Sequence, residues 1–358
     1  MTFYNDRLLL VSDSLNNINL FKKSDKKIVK HYFNNITQTV SETIVAEEVY
    51  LEYDVSIDNE DYIYLLYQDM SFDLYLTLLK DNDMETIRLT GEPIPQVYYL
   101  NMISNGKEPH IFYFVLLSEA ENRYRIYHHY YDGKDWLTNI VDEIVVRELL
   151  NPMKIIKNHK ELIIAYYTKV EDEEIYIKSF DLNKEKWGEK TKLTTDGAHK
   201  LYLDIILRKD KLNLLYSQYE EGNLVVKYEK FNYKDGVVKK ETEEVLSNPE
   251  NPQYPTLIYH DEKLWAVWVE YENIMSRYSV DNGNTWSPIY LWNESKGNDI
   301  VRYKYCKAYQ GEESILNYSF GTISPDITFI GFGNIDNTTE IPLKKKIHMK
   351  FPNNLPRL

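Results

Sequence analysis

The sequence predicts an all-β fold made of repeated antiparallel sheets, on the strength of three observations. The chain of 358 residues is 14% aromatic and contains 32 tyrosines, and tyrosine is enriched in strands because its ring suits a pleated, half-buried surface. Short apolar runs recur along the whole chain, as expected for a repeat architecture. The runs are separated by clusters of Asp, Asn, Gly and Lys, which are typical of turns between strands.

Seven copies of one pattern cover the chain, each with a charged turn, an apolar run, a polar break and a further strand. The apolar runs are spaced about 51 residues apart and lie at 8–11, 63–67, 111–115, 162–167, 212–216, 264–268 and 315–318. We interpret each run as the second of four strands in its unit. The sequence therefore predicts a seven-bladed β-propeller of four-stranded antiparallel blades. Residues 1–358 form a single domain in this interpretation, with repeats at roughly 1–47, 48–96, 97–148, 149–197, 198–248, 249–296 and 297–350.

The sixth repeat shows the expected plan of a blade best. Its inner, second, third and outer strands are predicted at 254–259, 264–271, 274–280 and 288–292. The first repeat has only Thr2-Phe-Tyr4 for an inner strand, while residues 340–350 can supply an outer strand. We therefore expect N- and C-terminal strands together to close the ring.

One specific motif connects the third and fourth strands of the sixth repeat. It reads Ser279-Val-Asp281-Asn-Gly283-Asn-Thr285-Trp286. Ser279 and Asp281 can hydrogen-bond within the turn, Gly283 can supply a positive φ, and Trp286 can pack on the blade. The motif resembles the Asp-box, S-x-D-x-G-x-T-W, of the bacterial neuraminidase repeat (BNR) family of sialidase-like propellers. We expect it to be structural, and weaker echoes of it occur at 131–136, 180–187 and 233–236.

The resemblance implies an enzyme that this sequence matches poorly. Sialidases of the family have six blades, three arginines that grip a substrate carboxylate, a tyrosine nucleophile polarised by a glutamate, and an aspartate acid/base. Of the nine arginines here, only Arg147 and Arg302 are expected near the centre of the ring. Arg7 is expected at a turn on the opposite face. The predicted seventh blade and the absence of an opening Arg-Ile-Pro segment also disfavour a sialidase.

Charge and cysteine content exclude several other classes. Asp plus Glu number 56 against 42 Lys plus Arg, for a formal net charge of -14, so neither nucleic acid nor an anionic membrane is expected as a partner. The single cysteine, Cys306, excludes an internal disulfide and multi-cysteine zinc motifs. His128 and His129 are adjacent in a predicted strand and point to opposite faces, so no metal or cofactor is predicted. With no signal-peptide pattern, a cytoplasmic location is expected by default.

Aromatic side chains near the axis suggest a ligand site. Stacking rings with polar tips suit sugars and peptides, although packing between blades also needs large flat residues, and most of these rings can be core. The predicted ligand-binding residues are Trp268, Tyr271, Tyr254, Tyr216, Tyr167 and Arg302.

Carboxylates offer the alternative function. The candidate catalytic residues are Glu270, Asp69, Asp204, Asp299 and Asp54, each of which can equally be a solvated loop acid. Glu270 lies between Trp268 and Tyr271, and a desolvated carboxyl group there would have a raised pKa and could act as an acid.

We therefore predict a non-catalytic ligand- or protein-binding propeller that recognises carbohydrate through a central site on its top face. The alternative is a carbohydrate-active enzyme, a glycoside hydrolase or sialidase-like protein. Two carboxylates roughly 5–10 Å apart beside exposed aromatic rings would favour hydrolysis. A mouth filled by tyrosine and lysine side chains would favour binding alone.

Overall fold

The computed structural model describes residues 7–81, 83–106, 108–234, 236–308, 314–324 and 326–344. These residues form 28 strands in six sheets, together with one 3₁₀ turn at Asn293–Ser295. The prediction of an all-β propeller is confirmed in this respect. Within the described ranges, no helix has the length and apolar character needed to cross a membrane.

Six units of strands follow one another along the chain, each beginning at its inner strand. The first blade contains β1 (Leu8–Ser12), β2 (Ile18–Ser24), β3 (Lys27–Phe33) and β4 (Val40–Ala46). The second contains β5 (Val49–Ile57), β6 (Ile63–Asp69), β7 (Leu74–Lys80) and β8 (Asp83–Arg88). The third contains β9 (Val97–Asn105), β10 (Glu108–Ser118), β11 (Arg123–Tyr131) and β12 (Trp136–Val145).

The remaining three blades have the same plan. The fourth contains β13 (Met153–Lys157), β14 (Glu161–Lys169), β15 (Glu173–Asp181) and the short outer strands β16 (Lys186–Trp187) and β17 (Thr191–Lys192). The fifth contains β18 (Lys200–Arg208), β19 (Lys211–Glu220), β20 (Asn223–Lys234) and β21 (Val237–Val245). The sixth contains β22 (Gln253–His260), β23 (Lys263–Glu270), β24 (Asn273–Ser279) and β25 (Ile289–Trp292).

The prediction of seven blades is wrong, because the structure has six. The error begins in the first repeat, where Leu8–Ser12 is the inner strand and not the second one. It pairs with β2, and in the turn between them Asp13 accepts the amides of Leu15 and Asn17 at 2.9 and 2.8 Å. Asp58 caps the turn after the inner strand β5 in the same way.

The described residues of the last repeat, 297–350, do not form a blade of their own. The strands of this repeat are β26 (Val301–Lys307), β27 (Tyr318–Gly321) and β28 (Thr338–Ile341). β26 pairs in parallel with β1, β27 extends the same sheet, and β28 pairs with the outer strand β25. β26, the inner strand of the predicted seventh blade, is thus part of the first sheet. The predicted strand Thr2-Phe-Tyr4, and residues 345–350 of the outer strand predicted at 340–350, lie outside the described residues.

Strands buried on both faces form the core between blades. Residues 162–168 of β14 are all buried, which matches the continuous apolar character expected of a strand covered by two neighbouring sheets. One apolar cluster joins Phe114, Tyr166 and Tyr216, from the third, fourth and fifth blades. Large rings therefore hold adjacent blades together.

The turn at 279–286 has the hydrogen bonds expected from its sequence. Asp281 Oδ1 accepts the amides of Asn284 and Thr285 at 3.1 and 2.8 Å, and Oδ2 accepts the Thr285 hydroxyl at 2.7 Å. The Gly283 amide donates to Ser279 Oγ at 2.7 Å, with φ at +80°. Burial opposes ionisation of Asp281, but these hydrogen bonds outweigh it and lower its pKa to about 2. Both oxygens of the Asp281 carboxylate therefore accept hydrogen bonds from within the turn.

The weaker echoes occupy equivalent turns between third and fourth strands. Asp132 accepts the amides of Lys134 and Asp135, both at 2.8 Å. Asp181 accepts the amides of Asn183 and Lys184 at 3.0 and 2.9 Å. In the third echo, residue 235 lies outside the described part of the chain. An aspartate cap at this turn is therefore a repeated structural element in at least three blades.

Candidate functional site

A cavity of about 980 Å³ lies at the centre of the ring. Its walls come from the inner strands of all six blades and from β26. The inner strands of the six blades all run in the same direction along the axis of the ring, because each blade has four successive antiparallel strands and the next blade begins again on the same side. The first residues of these strands therefore lie at one mouth of the cavity.

Three tyrosines at this mouth share an unusual backbone conformation. Tyr99, Tyr202 and Tyr254 line the cavity and have φ values of +51°, +57° and +50°. Each lies where an inner strand shifts register against its neighbour, as in a β-bulge. A bulky residue at positive φ is a genuine outlier, and here it recurs at equivalent positions of three blades.

The rings of these tyrosines span the boundaries between blades. The Tyr99 hydroxyl donates to Leu149 O at 2.6 Å and accepts the Asn151 amide at 3.1 Å. Burial raises the pKa of Tyr99 to about 12. The rings of Tyr202 and Tyr254 are in contact, with centroids 4.6 Å apart. Together the three rings form an aromatic wall.

A fourth ring in the cavity, that of Tyr318, is contacted by two cations. Lys154 Nζ lies 4.0 Å from its centroid, and the Arg302 guanidinium carbon lies 4.1 Å from it. Arg302 also lies 5.4 Å from the centroid of Tyr254. These cation–π contacts hold Lys154 on the ring of Tyr318, and Arg302 between Tyr318 and the aromatic wall at Tyr254.

Two buried carboxylates link inner strands just behind the cavity wall. Asp54 Oδ2 accepts the Met102 amide of the next blade and Lys304 Nζ, both at 2.6 Å. Asp204 follows the same plan three blades away. Its Oδ2 accepts the Leu257 amide at 2.8 Å, and Lys154 Nζ lies 3.1 Å from Oδ1.

A third carboxylate at the wall is also paired. Glu52 Oε2 accepts the Leu100 amide of the next blade at 3.0 Å and forms an ion pair with Arg7. All three of these carboxylates are thus held by a backbone amide and a cation.

The predicted ligand-binding residues separate into two groups. Tyr254 and Arg302 line the cavity. Trp268, Tyr216 and Tyr167 are each 0% exposed, so they pack between blades and present no surface to a ligand. Tyr271 is 73% exposed and donates its hydroxyl to Glu250 at 2.8 Å, outside the cavity lining.

The predicted catalytic carboxylates do not form a pair in the cavity. Asp54 and Asp204 serve as the links described above. Asp69 caps its own turn by accepting the Ser71 and Asp73 amides. Asp299 is exposed and is not part of the cavity lining.

Glu270 lies apart from the other predicted catalytic carboxylates, in a buried position of its own. It is 6% exposed and accepts Trp268 Nε1 at 2.7 Å. Burial raises its pKa to about 7. It also lies outside the central cavity lining.

The arginines differ from their predicted positions. Arg7 directly precedes β1 and lines the cavity, whereas the sequence placed it on the opposite face. Arg147 is exposed and does not line the cavity. The described lining therefore has two arginines, and one of them is paired with Glu52. Although the blade count no longer disfavours a sialidase, three converging guanidinium groups are not found among these residues.

Sequence reasoning did not identify Lys154 and Lys304 as site residues. A signal for them exists, since Lys154 and Lys304 are 150 positions apart and so are their partners Asp54 and Asp204. That separation corresponds to three repeats. A charged pair recurring at a multiple of the repeat indicates equivalent positions on inner strands.

The histidines in the third blade are structural. Trp187 Nε1 can only donate, so His128 Nδ1 accepts its hydrogen bond at 3.2 Å and His128 Nε2 donates to His110 Nδ1 at 2.9 Å. His129 bonds Tyr113 and Thr138 instead. Among the described residues no group of three or more His, Cys, Asp or Glu could hold a metal ion.

No family model matches the chain, and no curated protein sequence matches it. Among solved structures, polysaccharide lyase Uly1 superposes with a TM-score of 0.53 at 10% identity, covering 77% of this chain and 78% of the lyase. The fucose lectin of Aleuria aurantia, a six-bladed propeller, gives a TM-score of 0.48 at 11% identity, covering 80% and 95%. At such identities the likeness to the lyase concerns the propeller fold alone.

Proposed function

We propose that this protein is a carbohydrate-binding β-propeller whose site is the central cavity, and that it binds its ligand without turning it over. The observation that carries the proposal is the aromatic wall of Tyr99, Tyr202 and Tyr254. We include in the proposal that the chain is a divergent relative of the Asp-box propellers, which the complete turn at 279–286 supports.

Backbone strain supports a binding role for this wall. The left-handed conformation costs an ordinary residue about 1–2 kcal/mol, and such strain persists where function or packing holds it in place. Three bulge tyrosines contribute large, flat, amphipathic rings to the lining of one cavity, where Tyr202 is 8% exposed and Tyr99 and Tyr254 are half-buried. Rings of this kind stack on sugars and give contact area at small entropic cost.

The state of the carboxylates supports binding over hydrolysis. Asp54, Asp204 and Glu52 each have a cationic partner and a backbone amide donor. These carboxylates accept hydrogen bonds from the protein itself and so are engaged in holding neighbouring inner strands together. The mouth is occupied by tyrosine and lysine side chains, the arrangement expected of a binding site.

A glycan array followed by calorimetry with the strongest ligand tests the proposal. Tyr254→Asn removes a half-buried ring of the wall while keeping a residue that tolerates positive φ, so we expect an affinity loss of roughly tenfold, or about 1.4 kcal/mol. Tyr271→Asn is the matched control, because Tyr271 also has a positive φ, +47°, but lies outside the cavity lining. Equal effects of the two substitutions, or no glycan binding at all, would overturn the proposal.

A second candidate function rests on Glu270. Its pKa of about 7 is suitable for a general acid near neutral pH, and it lies near Glu250, Tyr271 and Lys344. A panel of chromogenic glycosides tests this alternative. Turnover that is abolished by Glu270→Gln would replace the binding proposal with an enzymatic one.

A further inference from the structure

The charge of the cavity wall is opposite to that of the whole protein. Acidic residues exceed basic ones by 56 to 42 in the chain. Within the described cavity lining, Glu52 is the one acidic side chain. The basic side chains of the lining are Arg7, Lys154, Lys157, Arg302, Lys304 and Lys307.

Half of these cations already have carboxylate partners. Arg7 is paired with Glu52, Lys154 with Asp204 and Lys304 with Asp54. In the described structure, no carboxylate lies within ion-pair distance of Arg302, Lys157 or Lys307. The cavity therefore retains positive charge after its internal pairs are counted.

Arg302 is the best placed of the three for a ligand. It lies at the mouth of the cavity that carries the aromatic wall, between the rings of Tyr318 and Tyr254. Its Nε is buried and has no hydrogen-bond partner. Stacking satisfies the faces of the guanidinium but leaves its edge donors available, and these donors match a carboxylate in a bidentate geometry.

Lys157 extends the positive charge along the cavity. It lies at the last residue of β13, near the opposite mouth. Its ammonium donates to Ser104 O at 2.8 Å and Asn105 Oδ1 at 3.1 Å, both neutral acceptors. A cavity of about 980 Å³ is at the upper end of the usual range for small-molecule sites, so it has room for a ligand that contacts both regions.

We propose that the ligand of the central cavity is an acidic saccharide, with Arg302 binding a uronate carboxylate and the neighbouring tyrosine rings packing on the sugar. This inference rests on the proposed carbohydrate-binding function and specifies its ligand class. Lys157 and Lys307 provide the charge for a further acidic unit of the same chain. Because the chain as a whole has a formal net charge of -14, the basic cavity lining is where we expect such a ligand to be attracted.

Calorimetry of the full-length protein with two matched probes tests the inference. One probe is a galacturonate tetrasaccharide, and the other is the same tetrasaccharide with its carboxylates methyl-esterified. Hydrogen bonds to charged groups are among the stronger ones, so we expect the acid to bind at least about tenfold more tightly than the ester. The difference should decrease as the salt concentration rises.

Two arginine substitutions make the test specific to the site. Arg302→Gln should remove the preference for the acid, while Arg302→Lys should keep part of it. Arg208→Gln is the matched control, since Arg208 also stacks on a tyrosine, at 3.8 Å from the Tyr259 centroid, and also has an unpartnered buried Nε, but lies outside the cavity lining.

The outcomes separate this inference from the function on which it rests. If acid and ester bind equally and Arg302→Gln changes neither, the acidic-ligand inference is refuted and the binding function stands. If neither tetrasaccharide binds while a neutral glycan does, the inference is also refuted. If no glycan binds at all, the proposed function fails first. The wild-type comparison of the two probes holds even if a variant does not fold.

Discussion

Replacing Gly331 with alanine should destabilise the protein much more than the same change at Gly333. Both glycines have positive φ, +113° and +101°, so an alanine at either costs about 1–2 kcal/mol in backbone strain. Only at Gly331 would the new Cβ overlap Val267 Cγ1 and lie 3.2 Å from Ile274 Cγ2, whereas nothing lies within 4 Å at Gly333. Overpacking a rigid core costs about 1–3 kcal/mol more. We expect losses of about 2–5 kcal/mol for Gly331→Ala and about 1–2 kcal/mol for Gly333→Ala.

Urea denaturation followed by tryptophan fluorescence measures both losses. The difference between the two midpoints, at an unchanged m value, gives the steric part. Val267 and Ile274 belong to the sixth blade, so this part reports whether the chain after β27 packs on that blade. Equal losses for the two variants would refute the packing of the C-terminal region described here.

Three further predictions concern ionisable groups. Asp281→Ala should lower the free energy of unfolding by about 1–2 kcal/mol, as loss of a capping carboxylate does. The effect should become smaller as the pH falls below about 4, towards the folded pKa of Asp281 of about 2. An unchanged urea midpoint at pH 7 would contradict this prediction. Burial, then the neighbouring histidines, lower the pKa of His128 to about 2, so below about pH 6.5 the unfolded chain binds a proton that the folded one does not, and stability should fall. Because burial also lowers the pKa values of His110 and His129 to about 4, His128→Gln should reduce the slope of that part of the profile without removing it. The contribution of Glu270 to the pH dependence of stability has the opposite sign. Because its pKa in the folded protein is raised to about 7, stability is lost as the pH rises from about 4.3 to 7. The fluorescence of Trp268 should change with a midpoint near pH 7 in the folded protein and should not do so in Glu270→Gln.

The strands of complete blades could be predicted from sequence, whereas the number of blades could not. In the sixth blade, the predicted strand 274–280 differs from Asn273–Ser279 by one residue at each end. The apolar run 8–11 is predicted at the wrong position in its blade because a strand buried on both faces has the same apolar sequence pattern whether it is the first or the second strand. Pairing between β1 and β26 joins residues about 295 apart, and local patterns carry no information on it.

The candidate site could be predicted only in part. Tyr254 and Arg302 were named because aromatic and cationic residues on inner strands approach the axis of a propeller. The positive φ of Tyr99 and Tyr202 depends on a register shift between strands, which the sequence pattern does not reveal. The position of Trp268 near the end of a second strand predicts a ligand contact, but the residue is buried, and that burial depends on packing between blades, which its own strand does not reveal.

A crystal structure of the protein with the galacturonate tetrasaccharide bound tests the central claim most directly. We expect the sugar in the central cavity, against Tyr202 and Tyr254, with a carboxylate within hydrogen-bond distance of the Arg302 guanidinium. A saccharide bound elsewhere, such as beside Tyr271 and Glu270, with the cavity free of sugar, would contradict the assignment of the site.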